Sequence, residues 1–166
     1  MMIIATRYQR PGANCALFPA VAEFYPPIEG MTEPTKRFTP TTLQVDEVED
    51  TLPSIKLETL LFDNRPHKYG VEHELEINRR LAQYRRQYYG FYNDEQHPCL
   101  FVNFFYFRLD KDKEFATKYP TKTPSWLKYH VLANDGGVLF WFVFYDLTTK
   151  RFYNFDHNGH VSFPCK

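Results

Sequence analysis

A chain of 166 residues in which twenty basic side chains balance twenty acidic ones has the size of one domain and can bury a core without covalent staples. Zero formal net charge excludes a global attraction to nucleic acid or an anionic membrane, and neither is expected as a partner. Cys15, Cys99 and Cys165 have the spacing of neither a disulfide framework nor a zinc knuckle, and Arg7 interrupts any leader-like apolar start, so a reducing, cytoplasmic setting is expected.

The anomalous quantity is aromatic content. Sixteen Phe, twelve Tyr and two Trp make up 18% of the chain, enough for either a dense core or an adhesive surface.

Residues 1–54 hold Pro11, Pro19, Pro26, Pro27, Pro34, Pro40 and Pro53 and no sustained period, which predicts a proline-rich, irregular arm wrapping the rest of the chain. Within it, Ala16, Leu17, Ala20, Val21 and Phe24 are spaced for one or two helical turns between Cys15 and Tyr25. The acidic cluster Asp46, Glu47, Glu49 and Asp50 reads as a solvated linker. Residues 55–166 are expected to form the α+β domain proper. Residues 55–62 suit a strand or a helical turn, and 71–89 predict the principal helix. Ile77, Leu81, Tyr84 and Tyr88 form its apolar stripe and Gly90 its stop. Its glutamates lie toward the N-terminal end and its arginines toward the C-terminal end, as the helix dipole favours.

After Pro98 the period becomes two. Strands are predicted at Leu100–Arg108, Trp126–Ala133, Val138–Tyr145 and Arg151–Asp156, with a last short one at Val161–Phe163. Polar turns link them, giving an antiparallel meander of four to five strands. Val138–Tyr145 is the longest apolar run and is far below the roughly 20 residues of a membrane helix. Both faces of Leu100–Phe107 are apolar, as are both faces of Val138–Tyr145. One helix covers one face, so the second requires the arm, a partner protein or a second copy of the chain.

Chemistry is sparser. Cys15 at a helix start, His130 on a strand and Asp146 at the end of the next would supply nucleophile, base and orienting carboxylate. Tyr129-His130-Val131, followed by Tyr145-Asp146-Leu147, resembles the histidine and aspartate stretch of protein N-terminal glutamine amidohydrolases and related papain-like deamidases, over about 20 residues. That resemblance implies a nucleophile at the start of the helix before the sheet. Gly70 and Val71 stand there, so Cys15 would serve only if residues 26–70 were an insertion.

Asp156, His157 and His160 with His130 have the ligand types of a metal site. His157 and His160 flank an Asn158-Gly159 turn where polar residues occur anyway, and no metal or other cofactor is expected. Arg79, Arg80, Arg85 and Arg86 beside Tyr84, Tyr88 and Tyr89 have the composition of a nucleic-acid surface, but two of the tyrosines belong to the apolar stripe. The expectation is therefore a non-enzymatic protein-binding or accessory module of the inhibitor or immunity kind, with a protein partner or self-association. A thiol hydrolase using Cys15, His130 and Asp146 is the alternative.

Overall fold

The computed structural model describes residues 2–28, 30–56, 77–133 and 136–158. A seven-stranded sheet organises them: β1 (Thr6–Arg10), β2 (Ala13–Leu17), β3 (Arg37–Phe38), β4 (Tyr84–Tyr92), β5 (Pro98–Tyr106), β6 (Gly137–Asp146) and β7 (Arg151–Asn158). The order is β1-β2-β4-β5-β6-β7, with β3 also paired to β4. Every pairing is antiparallel except β2 with β4. A parallel neighbour demands a long crossover. Residues 18–83 make it, and they include helix α1 (Thr42–Thr51). A second helix, α2 (Leu109–Lys118), follows β5. Among the described residues no helix is long and apolar enough to cross a membrane.

The mixed α/β character and the C-terminal meander agree with the sequence, and β5, β6 and β7 fall where alternation predicts strands. The single principal helix does not. Residues 71–76 lie outside the described ones, 77–79 are helical, Leu81–Gln83 is a 3-10 turn, and Tyr84–Tyr92 is the central strand β4. Tyr84 and Tyr88 share a face in either geometry. The residue between them decides the matter: Arg86 is 1% exposed, a position that a surface-helix pattern assigns to solvent.

The arm is not irregular either, since it supplies β1, β2, β3 and α1. Cys15 sits in a strand, not at a helix start. Thr41 caps α1 in a reciprocal box, in which the Gln44 amide donates to Thr41 Oγ1 and the Thr41 amide to Gln44 Oε1. Trp126–Ala133, read as a strand, is a 3-10 turn at Ser125–Leu127 followed by loop. Of residues 55–62, read as a strand or a helical turn, 55–56 belong to neither and 57–62 lie outside the described residues, as does the short strand predicted at Val161–Phe163.

Both sheet faces are apolar and both are covered. On one, Leu17, Tyr84, Tyr88, Leu100, Val102, Phe104, Trp141, Val143 and Tyr145 pack beneath Val45, Val48 and Leu52 of the α1 segment and Ile77. Phe104 and Trp141 stack at 3.7 Å and 4° there. On the other, Tyr89, Phe91, Phe101, Phe105, Phe142 and Phe144 lie beneath Ala5, Phe18, Ala22, Phe24, Trp126 and Leu127. The arm thus helps to cover both sides, and most of the aromatic excess is core.

Candidate functional site

Cys15, His130 and Asp146 are not brought together. Cys15 belongs to the α1 side of the sheet, where its Sγ lies 4.0 Å from Glu49 Oε1. Burial first, then the Glu49 carboxylate, push its thiol up to about 12, the reverse of an activated nucleophile. His130 is on the other side, its ring 5.4 Å from Tyr89 and 5.8 Å from Phe101, with Nδ1 3.1 Å from the Tyr89 hydroxyl. The sheet stands between thiol and imidazole. Burial lowers the His130 pKa to about 4, so the ring is neutral near pH 7. Asp146 orients a different histidine, accepting from His97 Nδ1 at 2.9 Å. These placements follow from strand alternation: Cys15 in β2 points with Tyr88, whereas Tyr89 and Phe101 point away.

The His97–Asp146 pair opens a second cluster, which the local sequence His97-Pro98-Cys99 does not signal because its partner Asp146 lies on another strand. Cys99 is the register partner of Asp146, and the Cys99 side chain hydrogen-bonds with Tyr153. A cleft of about 720 Å3 adjoins them, lined by Ile28, Met31, Phe91, Tyr92, Phe144 and Tyr153 among others. The chemistry is muted. Burial raises the Cys99 thiol to about 11. Burial also works against ionisation of Asp146, but the His97 bond and the Thr149 and Thr148 amides outweigh it and hold the carboxyl below its ordinary value. With Oδ1 accepting both amides and Oδ2 taken by His97, Asp146 is a hairpin cap that also fastens the β4–β5 turn.

Of the arginines at 79–86, Arg85 and Arg86 belong to the core. Arg86 donates through Nε to Glu49 Oε1 at 2.9 Å and through Nη2 to Glu49 Oε2 at 3.2 Å, and the Tyr88 hydroxyl donates to the same carboxylate at 2.6 Å. Glu49 is therefore a buried counter-ion, not part of a solvated linker. Arg85, 6% exposed, pairs with Asp112 of α2 and lies against the rings of Phe107 and Trp126. Neither arginine presents a face to phosphate. Among the described residues no three His, Cys, Asp or Glu side chains gather in a way that could hold a metal, and His160 lies outside them.

A third feature is a layer of loop laid across the aromatic side of the sheet. The buried Gln87 carboxamide donates to Trp126 O at 2.8 Å and Tyr129 O at 2.7 Å, and accepts from the Val131 amide at 2.8 Å. Asn103 adds a bond to Val131 O at 2.9 Å. These amides take the backbone groups that a strand partner would otherwise take, so residues 126–131 lie on the sheet instead of joining it. The Ala5 amide donates to Leu127 O at 2.8 Å, and Tyr25 rests on His130 at 5.4 Å, joining residues 2–5 and 21–25 to the same layer.

Its inner side is packed and its outer side is not. Large apolar side chains exposed among the described residues are Met2, Ile4, Val21, Tyr25, Leu43, Tyr129 and Leu132; all but Leu43 fall in or next to these segments. Searched against known protein families, characterised proteins and solved structures, the chain matches none.

Proposed function

We propose that the protein is a non-enzymatic binding module of the inhibitor or immunity kind, which captures a protein partner through the outer side of the loop layer. One observation carries this reading: Met2, Ile4, Val21, Tyr25, Tyr129 and Leu132 are exposed on three segments, of which the first is hydrogen-bonded to the loop at Leu127 and the second rests on it at His130, with Val21 at 78% and Leu132 at 66%. Scattered apolar side chains are normal on a surface, but concentration on one layer marks an interaction site. Tyr25 is already held by His130, and Tyr129 flanks a backbone pinned by Gln87, so little ordering remains to oppose association. The Cys15 and Cys99 thiols, buried and with their pKa raised, have no part in it.

The test is quantitative affinity capture from the native source, with the wild-type chain and the triple variant Val21→Asp, Tyr129→Asp, Leu132→Asp as parallel baits. All three side chains point to solvent, so unfolding midpoints should agree. The expected result is a protein enriched by the first bait and lost with the second. Equal recovery by both baits would remove the layer as the binding surface.

A further inference from the structure

Charge on the loop layer is segregated in a way the zero net charge conceals. Residues 2–22 and 116–133 contain no Asp or Glu, whereas Arg7, Lys118, Lys122 and Lys128 lie within them. Arg10, also there, is turned away to Asp46 and Asp50. The other four make no ion pair with a carboxylate among the described residues. Lys122 lies 4.2 Å over the Tyr119 ring, and Arg7 donates to Asn14. Nearby acids on α2 are spoken for: Asp110 by Arg108, Asp112 by Arg85 and Glu114 by Lys111. Among the described residues of these segments Glu23 is the carboxylate that remains, and the Tyr25 hydroxyl hydrogen-bonds with it.

An apolar group whose loop carries Lys128 and has Arg7 over its Trp126 ring at 6.0 Å, neither ion-paired with a carboxylate among the described residues, is complementary to an apolar centre rimmed by carboxylates. We infer that the partner of this surface is a protein segment in which Asp and Glu flank one or two aliphatic or aromatic anchors. The inference rests on the binding-module reading and adds its chemistry. The anchors would seat among Tyr25, Tyr129 and Leu132. The carboxylates would meet Lys122, Lys128 and Arg7 at the rim, where charges set encounter rate and partner choice more than the strength of the final contact. A lipid surface is the less favoured occupant, because the exposed aromatic side chains are fixed on a folded layer and not arrayed along an insertable helix.

The experiment is selection from a random peptide display library on the immobilised full chain, followed by titration of the selected peptides. The two patch variants are Lys122→Glu with Lys128→Glu, and Tyr129→Asp with Leu132→Asp. The expected peptides are enriched in Asp and Glu around Leu, Ile or Phe. Their affinity should fall about tenfold both on charge reversal and between roughly 0.05 and 0.3 M salt, as screened rim charges require. Selected peptides without acidic bias, or with affinity untouched by charge reversal yet lost on Tyr129→Asp with Leu132→Asp, would overturn the acidic partner and leave the binding module standing. No enrichment, or peptides indifferent to both variants, would remove both. Sedimentation with phosphatidylserine-containing vesicles, in the absence of acidic peptide selection, would reassign the surface to lipid and overturn the inference.

Discussion

Replacing Glu49 by alanine strips a buried guanidinium of its charge partner. Arg86 is 1% exposed and Glu49 8%, and the carboxylate accepts from Arg86 Nε and Nη2 and from the Tyr88 hydroxyl. After truncation Arg86 keeps its bond to Tyr84 O, but its charge is uncompensated in a cluster of Tyr88, Phe104 and Val48. Breaking a buried pair from one side costs about 3–5 kcal/mol, a large part of the roughly 5–15 kcal/mol that holds a domain together. Asp50 is the control. It stands one residue away in the same acidic run, but its side chain is 69% exposed where it meets Arg10, so Asp50→Ala should cost no more than about 1 kcal/mol. Urea unfolding with unchanged slope measures both. Should Glu49→Ala fail to fold, Glu49→Gln and the pair Glu49→Leu, Arg86→Met keep the question answerable, because removing both charges should recover most of the loss. Equal, small costs for Glu49→Ala and Asp50→Ala would refute the buried-counter-ion account.

Gln87→Leu keeps the bulk but leaves Trp126 O, Tyr129 O and the Val131 amide without partners. A cost of about 3 kcal/mol is expected, together with loss of hydrogen-exchange protection at Val131; retained protection there would contradict the pinning role. The His130 pKa, lowered to about 4 by burial, makes stability depend on pH. The unfolded ring, near 6.5, binds the proton more readily, so stability is intact above that value and is lost as pH falls toward 4, by on the order of 3 kcal/mol in all. His130→Phe should flatten that part of the profile, and a slope unchanged by the substitution would place the titrating group elsewhere. In Gly90→Ala, the new Cβ would come within 2.5 Å of Phe38 O and 2.7 Å of the Phe38 ring. β3 must then part from β4, and a destabilisation of about 1–3 kcal/mol is expected; thermal unfolding indistinguishable from wild type would show that β3 yields freely.

Strands β5, β6 and β7 were legible because each carries alternation or a two-sided apolar run bounded by turn residues, signals contained within ten or so positions. The demand for cover on both faces was legible too, since no single helix meets it. The helix α1 had a local signal in Thr41 and Gln44 that the prolines and acids around it obscured. The candidate surface was legible only in part: aromatic abundance announced it, but Tyr25, Tyr129 and Leu132 look no different in sequence from their buried neighbours Phe24 and Leu127.

Composition and period by themselves determined an aromatic, mixed α/β domain with an antiparallel meander whose two faces both need cover. Tertiary structure alone decided the rest, because the deciding partners are remote. β4 is a strand despite Arg85, Arg86 and Gln87 because Asp112, Glu49 and the loop at 126–131 neutralise or bond them from 27, 37 and about 40 residues away. Cys15 and His130 are separated because the pleat sends neighbouring residues of the sheet to opposite faces. Burial of a charged or polar side chain is a property of the pair that satisfies it, and a sequence read one segment at a time shows only one member of that pair.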